Sequence, residues 1–131
     1  MEEAITFLLL NHPVIAEQAG DRISWGERPP GEFPAITLHR ISTTRDTTHQ
    51  GRSGLMSSTV QADVWGSTYA SAKLLARAVI PALPQARTVV GETVLQGVFI
   101  ETESDSFEGD DPEPLYRTRI DFTVWHEEIS Q

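Results

Sequence analysis

Residues 58–65 read STVQADVW, and they show the clearest pattern in the chain. Apolar side chains occupy every second position from Val60 to Val64, with polar residues between them. This period of two predicts a β-strand with one buried face, and it places Trp65 on the opposite, outward face.

A helical pattern follows that strand directly. Apolar residues recur there at a spacing of three or four, which predicts one buried stripe made of Ala72, Leu75, Ala76, Val79 and Leu83. Ser67 or Thr68 can begin this helix, because a side-chain oxygen at that point accepts a hydrogen bond from a free backbone amide. Pro81 and Pro84 are expected to break it, since proline removes a helical donor.

Extended segments flank this unit on both sides. The sequence predicts strands over Pro34–Ser42, Thr93–Glu101 and Leu115–His126, where the alternation is again apparent. The strand Thr93–Glu101 has apolar side chains on both faces: Val94, Val98 and Ile100 on one, Leu95 and Phe99 on the other. A strand of this composition is buried on both sides, or it meets a partner.

The remaining segments are two short helices and two polar stretches. Helical spacing predicts the helices over residues 3–10 and from Pro13 to Ala19. Residues 43–57 and the acidic residues 103–114 lack an apolar pattern, and we expect both to be loops. Together these elements predict an α+β fold, in which one long helix and the short N-terminal helices pack on one face of a mostly antiparallel sheet. We expect residues 1–131 to form a single domain.

Composition narrows the classes of function. The 131 residues include 19 acidic and 10 basic side chains, for a net charge of −9, which disfavours a protein that binds nucleic acid through its phosphates. There is no cysteine, so disulfides and thiolate metal sites are excluded. No segment approaches the length of a membrane span, and the acidic N-terminus is unlike a signal peptide. We therefore expect a cytoplasmic protein with no membrane partner.

Catalytic patterns are weak. The four histidines are scattered and match no metal-ligand spacing, so we expect no metal and no cofactor. The acidic run from Asp105 to Glu113 could bind calcium, but it does not fit a calcium-binding loop, and a solvated loop is the simpler interpretation. Alternating Glu101, Glu103 and Asp105 could form an acid–base pair, but nothing around them supplies a desolvated pocket. We expect a protein that is not an enzyme.

A series of segments in order resembles the tail completion or tail terminator proteins of long-tailed phages, which also occur in prophages and gene transfer agents. The segments that carry this likeness are Gly20–Ile23, Pro29–Pro34, Ile36–Ser42, Val60–Trp65, Ala70–Leu83 and Arg117–Val124. The resemblance covers nearly the whole chain and includes no catalytic motif. The acidic segment at 103–114 departs from it.

The resemblance implies a structural virion protein located at the tail neck, cytoplasmic until assembly. Such a protein forms a ring, typically hexameric, that caps the tail tube, stops tube polymerisation and joins the head-side connector. Its partners would be copies of itself, the major tail tube protein and a neck protein, with DNA passing through the channel without specific binding. The alternatives are another neck component, such as a head-closure or adaptor subunit, a small enzyme using Glu101, Glu103 or Asp105, and a monomeric binding module.

Aromatic and arginine residues on outward faces are the interface candidates for such an assembly, because this composition is typical of interface hot spots. A solvated sheet face with weak ion pairs is the simpler alternative, and a tryptophan can also cap the end of its own sheet. The candidates are Trp65, Phe99, Trp125, Arg45, His49, Arg52, Met56, Arg117 and Arg119.

Overall fold

The computed structural model of the chain describes residues 1–26, 33–48, 51–108 and 115–128. These residues form three helices and six strands. The helices are α1 (Glu2–Leu10), α2 (Pro13–Gln18) and α3 (Tyr69–Ala82). The strands are β1 (Ile23–Trp25), β2 (Ala35–Thr48), β3 (Gly51–Gly66), β4 (Thr88–Val90), β5 (Thr93–Glu108) and β6 (Leu115–Glu128).

The strands form one sheet in the order β1-β2-β3-β6-β5-β4, curled into a half-barrel. β1 pairs with β2 in parallel, and each of the other pairings is antiparallel. The two outermost strands have three residues each, whereas β2 has 14 residues and β5 has 16. Most of the sheet is therefore built by the four long strands.

The central pair, β3 and β6, has an unbroken register from Leu55 opposite Glu127 to Gly66 opposite Tyr116. The strands on either side are bulged at the same level of the sheet. β2 shifts register just after Arg40, and β5 just after Ile100. A bulge bends its strand and increases its twist, so two bulges flanking a regular pair account for the curl.

The core lies between the sheet and the helices. The face of β3 and β6 that carries Val60, Val64 and Phe122 is fully buried. All five residues of the predicted helical stripe are buried, and four of them belong to this core: Leu75, Ala76, Val79 and Leu83. The short helices contribute Ile5, Leu9 and Ile15 to the same cluster.

The start of α3 is determined by a cap and a close approach. Thr68 is the N-cap, and its side-chain oxygen accepts a hydrogen bond from the Ser71 amide at 3.0 Å, as the sequence predicts. Gly66 lies against the backbone of this first turn, because a Cβ there would come within 2.6 Å of the Ala72 nitrogen. The expectation that Pro81 breaks the helix is wrong by one residue, since α3 continues through Pro81 to Ala82.

The predicted α+β class is wrong. The described residues are mostly β, their helices are short, and their sheet is curled into a half-barrel. The reason lies largely in the two polar stretches expected to be loops. Residues 43–48 and 51–57 extend β2 and β3, and residues 103–108 extend β5. Their backbone groups bond in the ladder whatever the polarity of the side chains.

The two faces predicted for β5 are also wrong, because of a further bulge. The register shifts between Leu95 and Gly97, so the alternation changes phase at Gln96. Leu95 and Val98 consequently lie in the same core, although the sequence pattern places them on opposite faces.

The close approach at Gly66 gives the first testable prediction. Gly66→Ala should lower the free energy of unfolding by about 2 kcal/mol, because the added methyl group must displace the backbone of α3. Urea denaturation followed by circular dichroism measures the difference. Ser67→Ala, at the exposed neighbouring position, is the control and should change the value by less than about 0.5 kcal/mol. Equal midpoints for both variants would contradict the packing described at Gly66.

Candidate protein–protein interface

The face of the sheet opposite α3 carries an exposed apolar groove of about 510 Å³. Phe99 is 55% exposed and Trp125 is 38% exposed, although both are large apolar residues. Single exposed apolar residues are common, but a contiguous group of aromatic residues is typical of a contact surface. The groove is lined by Leu55, Gln96, Phe99, Trp125 and Glu127.

The backbone brings the two aromatic residues together. Gly97 pairs with Trp125 across β5 and β6, and Phe99 is two residues further along the same strand. Because Gly97 has no side chain, the ring of Phe99 can lie over it; a Cβ there would be 3.3 Å from that ring. The Gln96 amide donates a hydrogen bond to Glu127 at 2.7 Å, which holds one polar wall of the groove.

Sequence reasoning identified Phe99 and Trp125 but missed Leu55, Gln96 and Glu127. A signal for Leu55 existed, since the alternation of β3 continues backwards from Ser57, which pairs with Trp125. No periodic signal exists for Gln96, because it lies at the bulge.

Trp65 shares the face of Trp125 but not its surroundings. Trp125 lies opposite Ser57 of β3, which is eight residues from Trp65 along that strand, or ~27 Å. Trp65 is only 7% exposed, and the guanidinium of Arg117 lies over its ring, 5.3 Å from the centroid. Arg117 also donates a hydrogen bond from Nε to the Ser106 hydroxyl at 3.0 Å. The buried ring therefore presents little surface to a partner.

Arg119 belongs to a polar cluster on this same face. Its Nε donates to Oδ1 of Asp63 at 3.2 Å, and Asp63 is 3% exposed. His39 Nε2 lies 3.8 Å from the other carboxylate oxygen. A buried carboxylate requires such partners, because leaving it unpaired costs several kcal/mol.

Three of the four candidates from the polar segment 43–57 lie on strands β2 and β3. Arg45 and Met56 pair directly across it, and Arg45 Nη1 lies 3.1 Å from the sulfur of Met56. Arg52 lies on β3 opposite Thr47, and its side chain is outside the described part of the structure. His49 lies outside the described residues altogether.

The carboxylates considered for acid–base chemistry are exposed on β5. Glu101 accepts a hydrogen bond from the Thr123 hydroxyl at 2.8 Å. Asp105 lies 2.8 Å from Lys73 of α3, and Thr118 donates to it at 2.9 Å. The hydrogen bond from Lys73 is the main cause that lowers the pKa of Asp105 and raises that of Lys73. This shift keeps the carboxyl group ionised, opposite to what a general acid needs.

A serine–histidine pair lies on the helix side of the sheet. The hydroxyl of Ser58 is 2.8 Å from Nε2 of His126 and 2.9 Å from the hydroxyl of Thr43. Ser58 and His126 are 1% and 3% exposed, so a substrate cannot reach the hydroxyl. The three side chains connect β2, β3 and β6 within the sheet.

Within the described ranges, no three His, Asp or Glu residues are grouped so as to hold a metal ion. Of the helices in that same part of the chain, none has the length and apolarity to cross a bilayer.

The buried carboxylate gives a prediction about stability. Arg119→Met should lower the free energy of unfolding by about 2 kcal/mol, less than for a fully buried pair because Arg119 is 36% exposed. Arg77→Met, at an exposed position on α3, is the matched control and should have little effect. Denaturant titration of both variants measures the difference, and an equal effect would show that Asp63 does not depend on Arg119.

The ion pair between α3 and β5 gives a prediction about pH. Because the pKa of Asp105 is lowered in the folded state, its stabilising effect is present above its unfolded pKa of about 3.9 and is lost as the pH falls through the folded pKa. Asp105→Asn should therefore be less stable than the unmodified protein at pH 7, and this difference should shrink as the pH falls below about 3.9. Glu92→Gln, at an exposed position between β4 and β5, is the control, and thermal unfolding at a series of pH values is the measurement. A constant difference across this range would contradict the ion pair.

Residues 3–127 match the family described as "Tail completion protein gp17". Among solved structures, a chain of the "Virion of native gene transfer agent (GTA) particle" superposes with a TM-score of 0.76 and 20% identity, over 97% of this chain and 94% of that one. That likeness shows a shared fold. The comparison with curated protein sequences gave no match. The resemblance found in the sequence is thus confirmed, and because the match spans almost every residue, the chain belongs to the tail completion protein gp17 family.

Proposed function

We propose that this protein forms a ring, of six copies, that caps the tail tube, stops its polymerisation and offers the joining surface to the head. The observation that carries the proposal is the family match over residues 3–127. The similarity to a chain of a gene transfer agent virion supports a place in a phage or phage-like particle. A heterologous contact closes into a ring when a whole number of such rotations between neighbouring subunits completes one full turn.

The positions of the two long hairpins support a ring with one face that binds the tail tube and another that binds the neck. The β2–β3 hairpin turns beyond the end of the sheet where Leu55 pairs with Glu127, and the β5–β6 hairpin turns beyond the opposite end. About 36 Å of paired strand separates these ends. If the strands run from one face of the ring towards the other, one hairpin would contact the tube and the other the neck.

The groove at Phe99 and Trp125 supports a protein partner. Both rings are exposed in the single chain, and an aromatic group that stays in water is costly unless a contact covers it. We propose that this groove contacts the tail tube protein. Four other candidates remain proposed contacts of the assembly: Arg45, Met56, Arg117 and Arg119. The burial of Trp65 makes it a weaker candidate for such a contact.

The charge supports a passage for DNA without binding. The seven carboxylates between Glu101 and Glu113 leave 12 acidic residues against 10 basic ones in the rest of the chain. Most of the net charge thus comes from one hairpin. We propose that the surface facing the channel is acidic, so that it would repel the phosphate backbone.

The test measures assembly and capping separately. Light scattering should give a mass of six 14.5 kDa chains. Addition of the protein to polymerising major tail tube protein should stop elongation, with a ring visible at one tube end by electron microscopy. A mass of one chain at every concentration, with tubes of unchanged length, would overturn the proposal.

A matched pair of variants examines the groove. Phe99→Asp should form the ring but cap tubes at least about tenfold less well, since truncation of a central aromatic contact commonly costs 2 kcal/mol or more. Leu74→Asp changes a similarly exposed residue on α3 and should cap normally. Binding to a portal protein but not to tubes would instead identify a head-side adaptor.

A further inference from the structure

Two of the long strands have an edge that their neighbours cover only in part. β1 pairs with β2 at Ile36–Leu38, and β4 pairs with β5 at Thr93–Leu95. Within the described ranges, no strand pairs with β2 from His39 onward on the side away from β3. In the same ranges, no strand pairs with β5 from Gly97 onward on the side away from β6. Beside β5, the Val98 amide bonds to the Pro84 carbonyl. An open strand edge is a template on which another chain can pair.

The two open edges carry opposite charge. Residues 39–48 of β2 include two basic residues, Arg40 and Arg45, and one acidic residue, Asp46. Residues 97–107 of β5 include three carboxylates, all exposed, and no basic residue: Glu101, Glu103 and Asp105. Lys73 pairs with Asp105. Within the part of the chain that the structure describes, neither Arg40 nor Arg45 forms an ion pair; each contacts a neutral side chain of its own hairpin.

Each open edge also exposes an isoleucine beside its bulge. Ile41 on β2 is 58% exposed, and Ile100 on β5 is 37% exposed. Bulges and charges commonly protect an edge from pairing with a copy of itself. Here the charges protect only against like edges, because two basic or two acidic edges repel each other and a basic edge attracts an acidic one.

The strand directions suit a contact between different edges. Three antiparallel steps separate β2 from β5, so these strands run antiparallel within one chain. Rotation about an axis along the strands preserves this relation between neighbouring copies. Arg40 and Ile100 also lie at the same level of the sheet. Arg40 pairs with Val60, Val60 pairs with Phe122, and Phe122 pairs with Ile100. The basic and acidic segments therefore overlap in height.

We propose that the basic edge of β2 in one copy pairs antiparallel with the acidic edge of β5 in the next, joining neighbouring sheets into one continuous sheet. The partner is a second copy of this chain, and the contact is head-to-tail. This inference rests on the proposed ring and identifies the surface that closes it. Backbone hydrogen bonds supply the pairing, and the charges select which edges meet.

Charge reversal of each edge tests the pairing. Arg40→Glu with Arg45→Glu makes both edges acidic, and Glu101→Arg with Glu103→Arg makes both edges basic. Either variant alone should need a protein concentration more than about tenfold higher for assembly, because like charges then face each other. An equimolar mixture of the two should assemble again, with the variants alternating, and native mass spectrometry should find equal numbers of each.

A control and a second measurement keep the test independent of folding. Arg77→Glu with Arg87→Glu makes the same change in net charge as the β2 variant, at exposed positions elsewhere, and should leave assembly unchanged. Since the chain has no cysteine, Ser42→Cys and Thr102→Cys can be made singly on β2 and β5. A short bismaleimide should link the mixture into pairs containing one of each, and should link neither variant alone.

The outcomes separate the two proposals. Rings that form equally well in both charge-reversed variants, without mixed cross-links, would overturn the edge pairing and leave the ring standing. Rings that persist in those variants but no longer cap tubes would assign the edges to the tube protein and also overturn it. An unmodified protein that stays a single chain would remove the ring and the pairing together.

Discussion

Strand β6 is paired on both sides from Tyr116 to Glu127, with β3 on one side and with β5 on the other. The β3–β6 register is unbroken, whereas β2 and β5 are bulged on either side of it. A regular centre with bent flanks is what turns a flat ladder into a half-barrel. The buried face of that centre carries Val60, Val64 and Phe122, and α3 packs on it. The groove, the core and the open edges all take their positions from this pair of strands.

The regular parts of the fold were predictable because their side chains alternate with burial. The alternation from Val60 to Val64, the stripe of α3 and the cap at Thr68 all have a direct counterpart in the structure. The irregular parts were not predictable in this way. A bulge adds one residue and reverses the phase, so the pattern read through Gln96 placed Leu95 and Val98 on opposite faces. Polar side chains likewise concealed the ends of the long hairpins, because backbone bonding in a ladder needs no apolar residue.

The candidate interface was predictable to a smaller extent. Phe99 and Trp125 stood out as aromatic residues at outward positions, and the pairing of β5 with β6 brings them into one groove. Trp65 satisfied the same rule on the same face, yet Arg117 lies over its ring and it is buried. Outward position along a strand is a local property, whereas exposure depends on what other segments cover. Only the tertiary structure distinguishes the two tryptophans.

The central position of β6 has a consequence for how the chain is made. Its partner β3 is synthesised about sixty residues earlier, as the pairing of Val60 with Phe122 shows. Until residues 115–128 leave the ribosome, β3 and β5 each lack the neighbour that β6 provides between them. Contacts between such distant segments make folding slow, and an unsatisfied strand can meanwhile pair with the wrong chain. Completion of the sheet, and with it of a surface able to recognise another copy, is therefore a late event that follows translation of β6.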